Sequence, residues 1–248
     1  MRRLLPAAFL LFAIPAAFAQ QPSADDLAKR VVTNMAGPAW ESARYLAFTF
    51  DVDRSGQRAA SFAQRWDRFT GDYRVAGKDR QGHDFVVLMN VNTKQGKAWQ
   101  DGAAVTDPKQ LGDLMTLGYG RFINDTYWLL MPLKMLDPGV HRAYDGERSD
   151  SCGTTWDVIK LTFDNVGLTP GDTYWAWMNR DTGIVDRWVM KLQSYGPDDP
   201  VTEVRFHEFG RFGGLLLSQK REVVGKNQNI RLDDITVASA PPAGAFEH

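Results

Sequence analysis

The chain has 248 residues, 44% hydrophobic and 24% charged, with 12 Pro and 22 Gly, values that suit a globular protein of one large domain or two small ones. A formal net charge of -1, with Lys and Arg intermixed among Asp and Glu, lacks the basic footprint of a nucleic-acid binder. Eight Trp and an aromatic share of 12% favour a β-rich fold, because flat rings pack well on pleated surfaces.

Residues 1–19 have the features of a signal peptide. Arg2 and Arg3 form a basic start, Leu4 to Ile14 an apolar stretch too short to span a bilayer comfortably, and Ala17-Phe18-Ala19 an A-x-A cleavage site. The mature chain is therefore expected to begin near Gln20 and to work in the periplasm or outside the cell. No Cys follows the cleavage site, so a bacterial lipid anchor is not expected, and Arg2-Arg3 lacks the rest of a twin-arginine signal. Cys152 is the one cysteine, which excludes an internal disulfide and leaves the core to packing alone.

Ser23 to Met35 reads as a helix, with Ser23 as its cap, Asp25 and Asp26 in its first turn and Gly37-Pro38 at its end; Leu27, Val31 and Met35 make one narrow apolar stripe. Tyr45 to Val52 alternates, with Leu46, Phe48, Phe50 and Val52 on one face. A turn at Arg54 to Gln57 returns the chain through Ala59 to Arg68, with Phe62 and Trp66 in phase. Tyr73 to Val75, the apolar run Phe85 to Val91, and Lys97 to Gln100 continue an antiparallel meander.

Asp107 to Val140 interrupts the strands. Asp107 suits an N-cap, with Pro108 at the first helical position and Gln110 at the third. Gly118 and Gly120 weaken the helix, and Asn124 or Asp125 can cap a second short helix that ends before Pro132. The expectation is two short helices with a hinge at Gly118 and Gly120. Strands resume at Val140–Tyr144, Thr155–Asp164, Asp172–Asn179, Ile184–Ser194, Val201–Phe209, Leu215–Val224 and Gln228–Val237, with Asp181-Thr182-Gly183 a strong hairpin turn. Residues 239–248, with Pro241-Pro242, read as a flexible tail. A mainly β domain over 20–238 follows. It is a single curled antiparallel sheet, or incomplete barrel, of about eleven strands, with an N-terminal helix and a helical insert as lid.

Catalytic patterns are sparse. Asp51-Val52-Asp53-Arg54-Ser55-Gly56 imitates the start of an EF-hand loop, but the twelfth position is Phe62 rather than Glu, and strands flank it, so a hairpin turn explains it better. His83, His141, His207 and His248 show no zinc spacing. The acidic pairs Asp198-Asp199 and Asp233-Asp234 leave open a secreted hydrolase with paired carboxylates in the barrel. No cofactor or metal is expected.

The remaining signal is an excess of large apolar side chains. Phe48, Phe50, Trp66, Phe85, Trp156, Trp175, Trp177 and Trp188 on the strands, with Met115, Phe122, Tyr127, Trp128 and Met131 in the insert, are the candidate lining of a hydrophobic cavity. A scaffold whose cavity is filled by these same side chains is the plain alternative.

The run Phe122-Ile123-Asn124-Asp125-Thr126-Tyr127-Trp128-Leu129-Leu130-Met131-Pro132, followed by Lys134 and Asp137-Pro138-Gly139-Val140, resembles the signature of a family of uncharacterised secreted bacterial proteins. That family is related to the outer-membrane lipoprotein-sorting (LolA/LolB-like) superfamily. The resemblance implies an incomplete barrel with a helical lid over an apolar cavity for acyl chains. The expectation drawn here is a non-enzymatic, monomeric binder of a lipid or acylated protein, with transient membrane-protein partners. In carriers of this kind an Arg on an early strand helps hold the lid closed; Arg44, Arg65 and Arg68 stand on early strands here, and no motif matches any of them to that role.

Overall fold

The computed structural model describes residues 21–248; the expected signal peptide and its cleavage site lie outside the described residues. Helix α1 (Ala24–Met35) and the single turn α2 (Ala39–Ser42) precede strands β1 (Tyr45–Arg54), β2 (Gln57–Asp67), β3 (Asp72–Lys78), β4 (Asp84–Asn90), β5 (Gln95–Gln100) and β6 (Ala103–Ala104). Helix α3 (Pro108–Leu130) and a 3-10 turn (Met131–Leu133) follow. Strands β7 (Val140–Ser149), β8 (Thr155–Phe163), β9 (Thr173–Asn179), β10 (Val185–Lys191), β11 (Thr202–Phe212), β12 (Leu215–Val223) and β13 (Gln228–Ala238) complete the chain.

The strands form one antiparallel sheet of 13, in the order β6-β5-β4-β3-β2-β1-β13-β12-β11-β10-β9-β8-β7. The first and last strands pair at its centre, Phe50 opposite Leu232 and Val52 opposite Ile230. From that pair one meander winds out to β6 and the other to β7. These two edges do not pair, so the sheet curls without closing. Bulges at Ala47/Thr49, Val52/Asp53, Val185/Arg187 and Tyr144/Glu147 supply curvature, because an extra residue bends a strand and increases its twist. The chain crosses from edge β6 to edge β7 through α3, which is how one helix comes to lie across the mouth of the open sheet.

The expected mainly β, curled sheet is present, with two corrections. Among the described residues there are thirteen strands rather than about eleven, the short pairing of Trp99 with Ala104 adding β6. The insert is one continuous helix of 23 residues, not two. Asp107 caps it as expected, Oδ1 accepting from the Gln110 backbone N–H at 2.8 Å. Asn124 and Asp125 lie within the helix rather than at a second start. Ser23 occupies the N-cap of α1 in extended conformation, but its side chain makes no capping hydrogen bond.

Gly118 explains why local propensity misleads here. It is buried against β4, and a Cβ built on it would lie 2.8 Å from Val87 Cγ1. Gly118 thus lets the helix approach the sheet closely. A Cβ at Gly120 would meet nothing within 4 Å. Gly120→Ala is therefore expected to stabilise the protein by about 0.5–1 kcal/mol. Gly118→Ala is expected to lose that gain to overpacking of about 1–3 kcal/mol. Urea unfolding midpoints of the two variants check the pair, and equal midpoints would refute the packing role.

One continuous core joins both halves of the sheet to the helices: Leu27, Val31 and Met35 of α1, Leu114, Leu129 and Leu130 of α3, and inward residues such as Phe50, Val87, Ile159 and Leu232. Residues 239–248 fold back over the outer face rather than trailing free. Arg65 Nη1 donates to the Ala245 carbonyl at 3.0 Å, Arg74 Nε to that of Glu247 at 3.0 Å, and His248 stacks on Trp99 with centroids 4.3 Å apart.

Candidate functional site: a cavity beneath the crossing helix

Helix α3 lies over β3, β4 and β5 and reaches β12 with its C-terminal end, while α1 covers β7, β8 and β12. The buried 3-10 turn fills the gap between the helices, with Met131 and Leu133 at 0% and 1% exposure. Beside the C-terminal half of α3 a cavity of about 540 Å3 remains, a size within the roughly 300–1,000 Å3 of small-molecule sites. Phe122, Ile123, Thr126, Tyr127 and Trp128 form its helical wall, and Phe163, Tyr174, Trp188, Met190 and Leu192 its sheet wall. Pro138, Val140 and the loop Val166–Thr169 complete the rim, where Leu168 is 53% exposed. Lys134 and Asp137 pair at the same rim.

Trp188 is the hub of the aromatic wall. Its ring centroid lies 5.0 Å from Trp128, 5.7 Å from Tyr127 and 5.1 Å from Tyr174, all edge-on, the arrangement aromatic quadrupoles prefer. Tyr174 donates to Asp172 Oδ2 at 2.6 Å, but Tyr127 Oη and Trp188 Nε1 are buried without a hydrogen-bond partner among the described residues. Burial, then the neighbouring Tyr174, Asp137 and Asp172, pushes the Tyr127 phenol well above its ordinary pKa, so it stays protonated.

The opposite side of the same helix carries a buried polar cluster. Asp125 is 0% exposed and accepts hydrogen bonds from Gln64 Nε2 of β2 and, at 2.7 Å, from Asn124 Nδ2. Tyr73 of β3 donates to Gln64 Oε1 at 2.6 Å. Arg121, one turn earlier, lies 3.6 Å from Asp125 Oδ1 and 4.5 Å above the Phe62 ring. Burial raises the Asp125 carboxyl to about 6, against the opposing pull of Arg121, Asn124 and Gln64. The cluster ties α3 to β2 and β3 through hydrogen bonds rather than apolar contact.

An arginine also touches the end of the helix, but from a late strand. Arg221 of β12 is 1% exposed, has no carboxylate partner among the described residues, and donates through Nη2 to the Trp128 carbonyl at 3.3 Å. It stacks 3.6 Å from the Phe206 ring centroid, and burial lowers its pKa to about 9. Among the described residues the early arginines engage groups other than those of α3. Arg44 pairs with Asp67 at 2.8 Å, Arg65 holds the C-terminal tail, and Arg68 lies 3.7 Å above the Trp40 ring.

Of the thirteen residues expected to line a cavity, the structure brings Phe122, Tyr127, Trp128 and Trp188 together. Phe50, Phe85 and Met131 are buried in the core, while Trp66 and Met115 are partly buried against it. Phe48 borders a separate hollow of about 410 Å3 beneath the tail. Trp175 and Trp177 alternate with the inward Tyr174, Ala176 and Met178, and so stand on the outer face, where Arg187 lies 4.6 Å from both the Trp177 and Trp156 rings. Phe163, Tyr174 and Met190 were missed, although strand parity marks Tyr174 once Ala176 is taken as inward.

The acidic pairs do not enter the cavity. Asp199 accepts from the Gly196 N–H in its own loop, and Asp234 accepts from Thr49 on the outer side. The carboxylates at the cavity are Asp137, paired with Lys134, and Asp172, which accepts from Thr169, Tyr174 and the Gln193 N–H. Among the described residues no group of three or more His, Cys, Asp and Glu converges as a metal site. Asp51 pairs with Arg58 at 2.9 Å, and Ser55 and Gly56 make the hairpin turn between β1 and β2.

No protein-family model and no curated protein matches the sequence. Among solved structures, a DUF1329 family protein from Desulfovibrio piger is similar over 90% of this chain and 95% of its own, at 14% identity and a TM-score of 0.49. MucB in the Pseudomonas aeruginosa MucA/MucB complex is similar over 91% of this chain and 60% of its own, at 14% identity and a TM-score of 0.29. The Mycobacterium tuberculosis lipoprotein LppX is similar over 89% of this chain and 99% of its own, at 10% identity and a TM-score of 0.29. These likenesses concern the fold. Among the described residues no helix is long and apolar enough to cross a membrane.

Proposed function

We propose that this protein is a non-enzymatic binding protein that takes a lipid, the acyl chains of a lipoprotein, or another hydrophobic ligand into the cavity beneath α3. The carrying observation is that cavity of about 540 Å3, walled by aromatic and aliphatic side chains from the helix and the sheet. Transfer of an acyl chain from water to such a wall contributes about 0.8 kcal/mol per buried CH2, so a medium-length chain gives useful affinity without further contacts. The protein works as a monomer in the periplasm or outside the cell, after removal of residues 1–19, and meets lipid donors or acceptors at membrane proteins only transiently. Lys134 and Asp137 at the rim and exposed Leu168 stand where an entering chain would pass.

Native mass spectrometry of the mature protein, purified without detergent, tests this. The expected result is a fraction of molecules carrying one bound lipid-sized mass, lost on organic extraction and regained on incubation with phospholipid vesicles. A clean unliganded mass with no uptake from vesicles would refute it and favour a scaffold filled by its own side chains.

A further inference from the structure

Residues 241–248 lie across the outer face of the sheet and are held there in the manner of a bound peptide. Their contacts alternate along the segment. Arg65 Nη1 donates to the Ala245 carbonyl and Arg74 Nε to that of Glu247, each at 3.0 Å. The Phe246 ring meets Tyr45 edge-on with centroids 6.2 Å apart, and His248 stacks on Trp99 at 4.3 Å. Backbone carbonyls thus meet arginines while alternate side chains meet aromatic rings, which is how a sheet face reads an extended chain.

The groove has capacity that this segment leaves unused. Arg65 and Arg74 are cross-strand partners, and neither has a carboxylate partner among the described residues. Burial, then Arg65 beside it, lowers the Arg74 guanidinium below its ordinary pKa. Like charges directly opposite on one sheet face are unfavourable, and each guanidinium has five donors to satisfy. The Glu247 carboxylate does not supply the missing charge; it turns back toward Gly244, where a built Cβ would lie 3.5 Å from Oε2. A hollow of about 410 Å3 also remains beneath Pro242, Ala243 and Ala245, over a floor of Ala47, Thr49 and Ala63, with Arg65 in its wall. Asp234 lines the same hollow and accepts from Thr49 Oγ1 at 3.0 Å.

We infer that this outer groove is a docking site for an extended acidic peptide bearing an aromatic side chain, and that residues 241–248 occupy it in cis as a removable strap. An acidic side chain in place of one of the strap's small residues enters the hollow and gives the arginine pair the counter-charge it lacks. Charge-assisted bonds of this kind are about twice as strong as those to neutral carbonyls. The two guanidiniums outnumber Asp234, which is already engaged by Thr49. The strap competes from within the same chain at an effective concentration of about millimolar, so a partner has to bind more tightly than the strap does. This site is separate from the cavity beneath α3 and does not depend on what that cavity holds.

The test is fluorescence anisotropy with two amidated, fluorescein-labelled peptides: one with the sequence of residues 241–248, and the same peptide carrying Ala243→Glu. The full chain is used as wild type and with its strap weakened by Phe246→Ala and His248→Ala. The strap-weakened chain is expected to bind the Ala243→Glu peptide roughly tenfold more tightly than the unsubstituted peptide, and roughly tenfold more tightly than wild type does. Adding Arg65→Ala and Arg74→Ala is expected to weaken that binding at least tenfold, with the melting temperature unchanged. In 1H–15N spectra of the labelled wild-type chain, excess unlabelled Ala243→Glu peptide is expected to release the chain's own Phe246 and His248 amide signals to unstructured positions. No saturable binding to the strap-weakened chain, equal affinity for the two peptides, equal affinity after loss of both arginines, or no release of the strap signals would overturn the inference. A strap-weakened chain that forms dimers insensitive to either peptide would overturn it as well.

Discussion

Replacing Asp125 with Asn is expected to raise stability at neutral pH by about 3 kcal/mol and to flatten its pH dependence between about pH 4 and pH 6. Asp125 is fully buried, and burial raises its carboxyl from 3.8 to about 6. The folded state therefore holds a proton that the unfolded chain releases. Its stabilising contribution is fully present below pH 3.8 and is lost as pH rises through about 6. At neutral pH the folded protein carries a buried carboxylate, offset in part by Arg121 at 3.6 Å. Asn avoids that charge and keeps a polar link to β2, because Gln64 can turn its amide to donate to Tyr73 and accept from the new side chain. Chemical denaturation from pH 4 to pH 8 measures the effect: wild type should weaken across the window and Asp125→Asn should not. A variant less stable than wild type at pH 7 would show that the carboxylate is a net stabiliser of the helix. Because the cluster fastens α3 to β2 and β3, acidification is expected to tighten the helix over the cavity.

Trp188→Ala is expected to cost about 3–5 kcal/mol, the loss typical when a large buried aromatic is removed. Trp188 is 2% exposed and touches Tyr127, Trp128 and Tyr174, so it joins the helix to β9 across the cavity. The truncation opens the cavity further while weakening the wall that holds α3 down. Trp188→Phe keeps most of the contact and should cost far less. Guanidinium unfolding of both variants checks this, and a small loss in the alanine variant would mean that the helix is held mainly by the Asp125 cluster and Arg221.

The sheet was legible because its first strand alternates cleanly: Leu46, Phe48 and Phe50 are 1%, 3% and 2% exposed, on the face that spacing assigned them. Asp107-Pro108 marked the helix start for the same local reason. What local rules missed depends on distant partners. Gly118 looks like a break until Val87 is known to lie beneath it. Asp125 looks like a cap until Gln64, 61 residues away, is found to donate to it. Bulk alone selects Trp175 and Trp177 as cavity lining, whereas strand parity puts both on the outer face and their neighbour Tyr174 on the inner one. Arg221 carries a readable signal, since it shares the parity of buried Leu215, Leu217 and Val223.

Saturation binding of a fluorescent naphthylamine probe to wild type and to Ile123→Trp tests the central claim most directly. Ile123 lines the cavity from the partly exposed side of α3, so a larger ring there fills the space without disturbing the core. Wild type should take up one probe per chain, and Ile123→Trp should bind roughly tenfold more weakly or not at all with its melting temperature unchanged. No saturable uptake by wild type, or equal uptake by both proteins, would contradict a ligand-binding cavity beneath the helix.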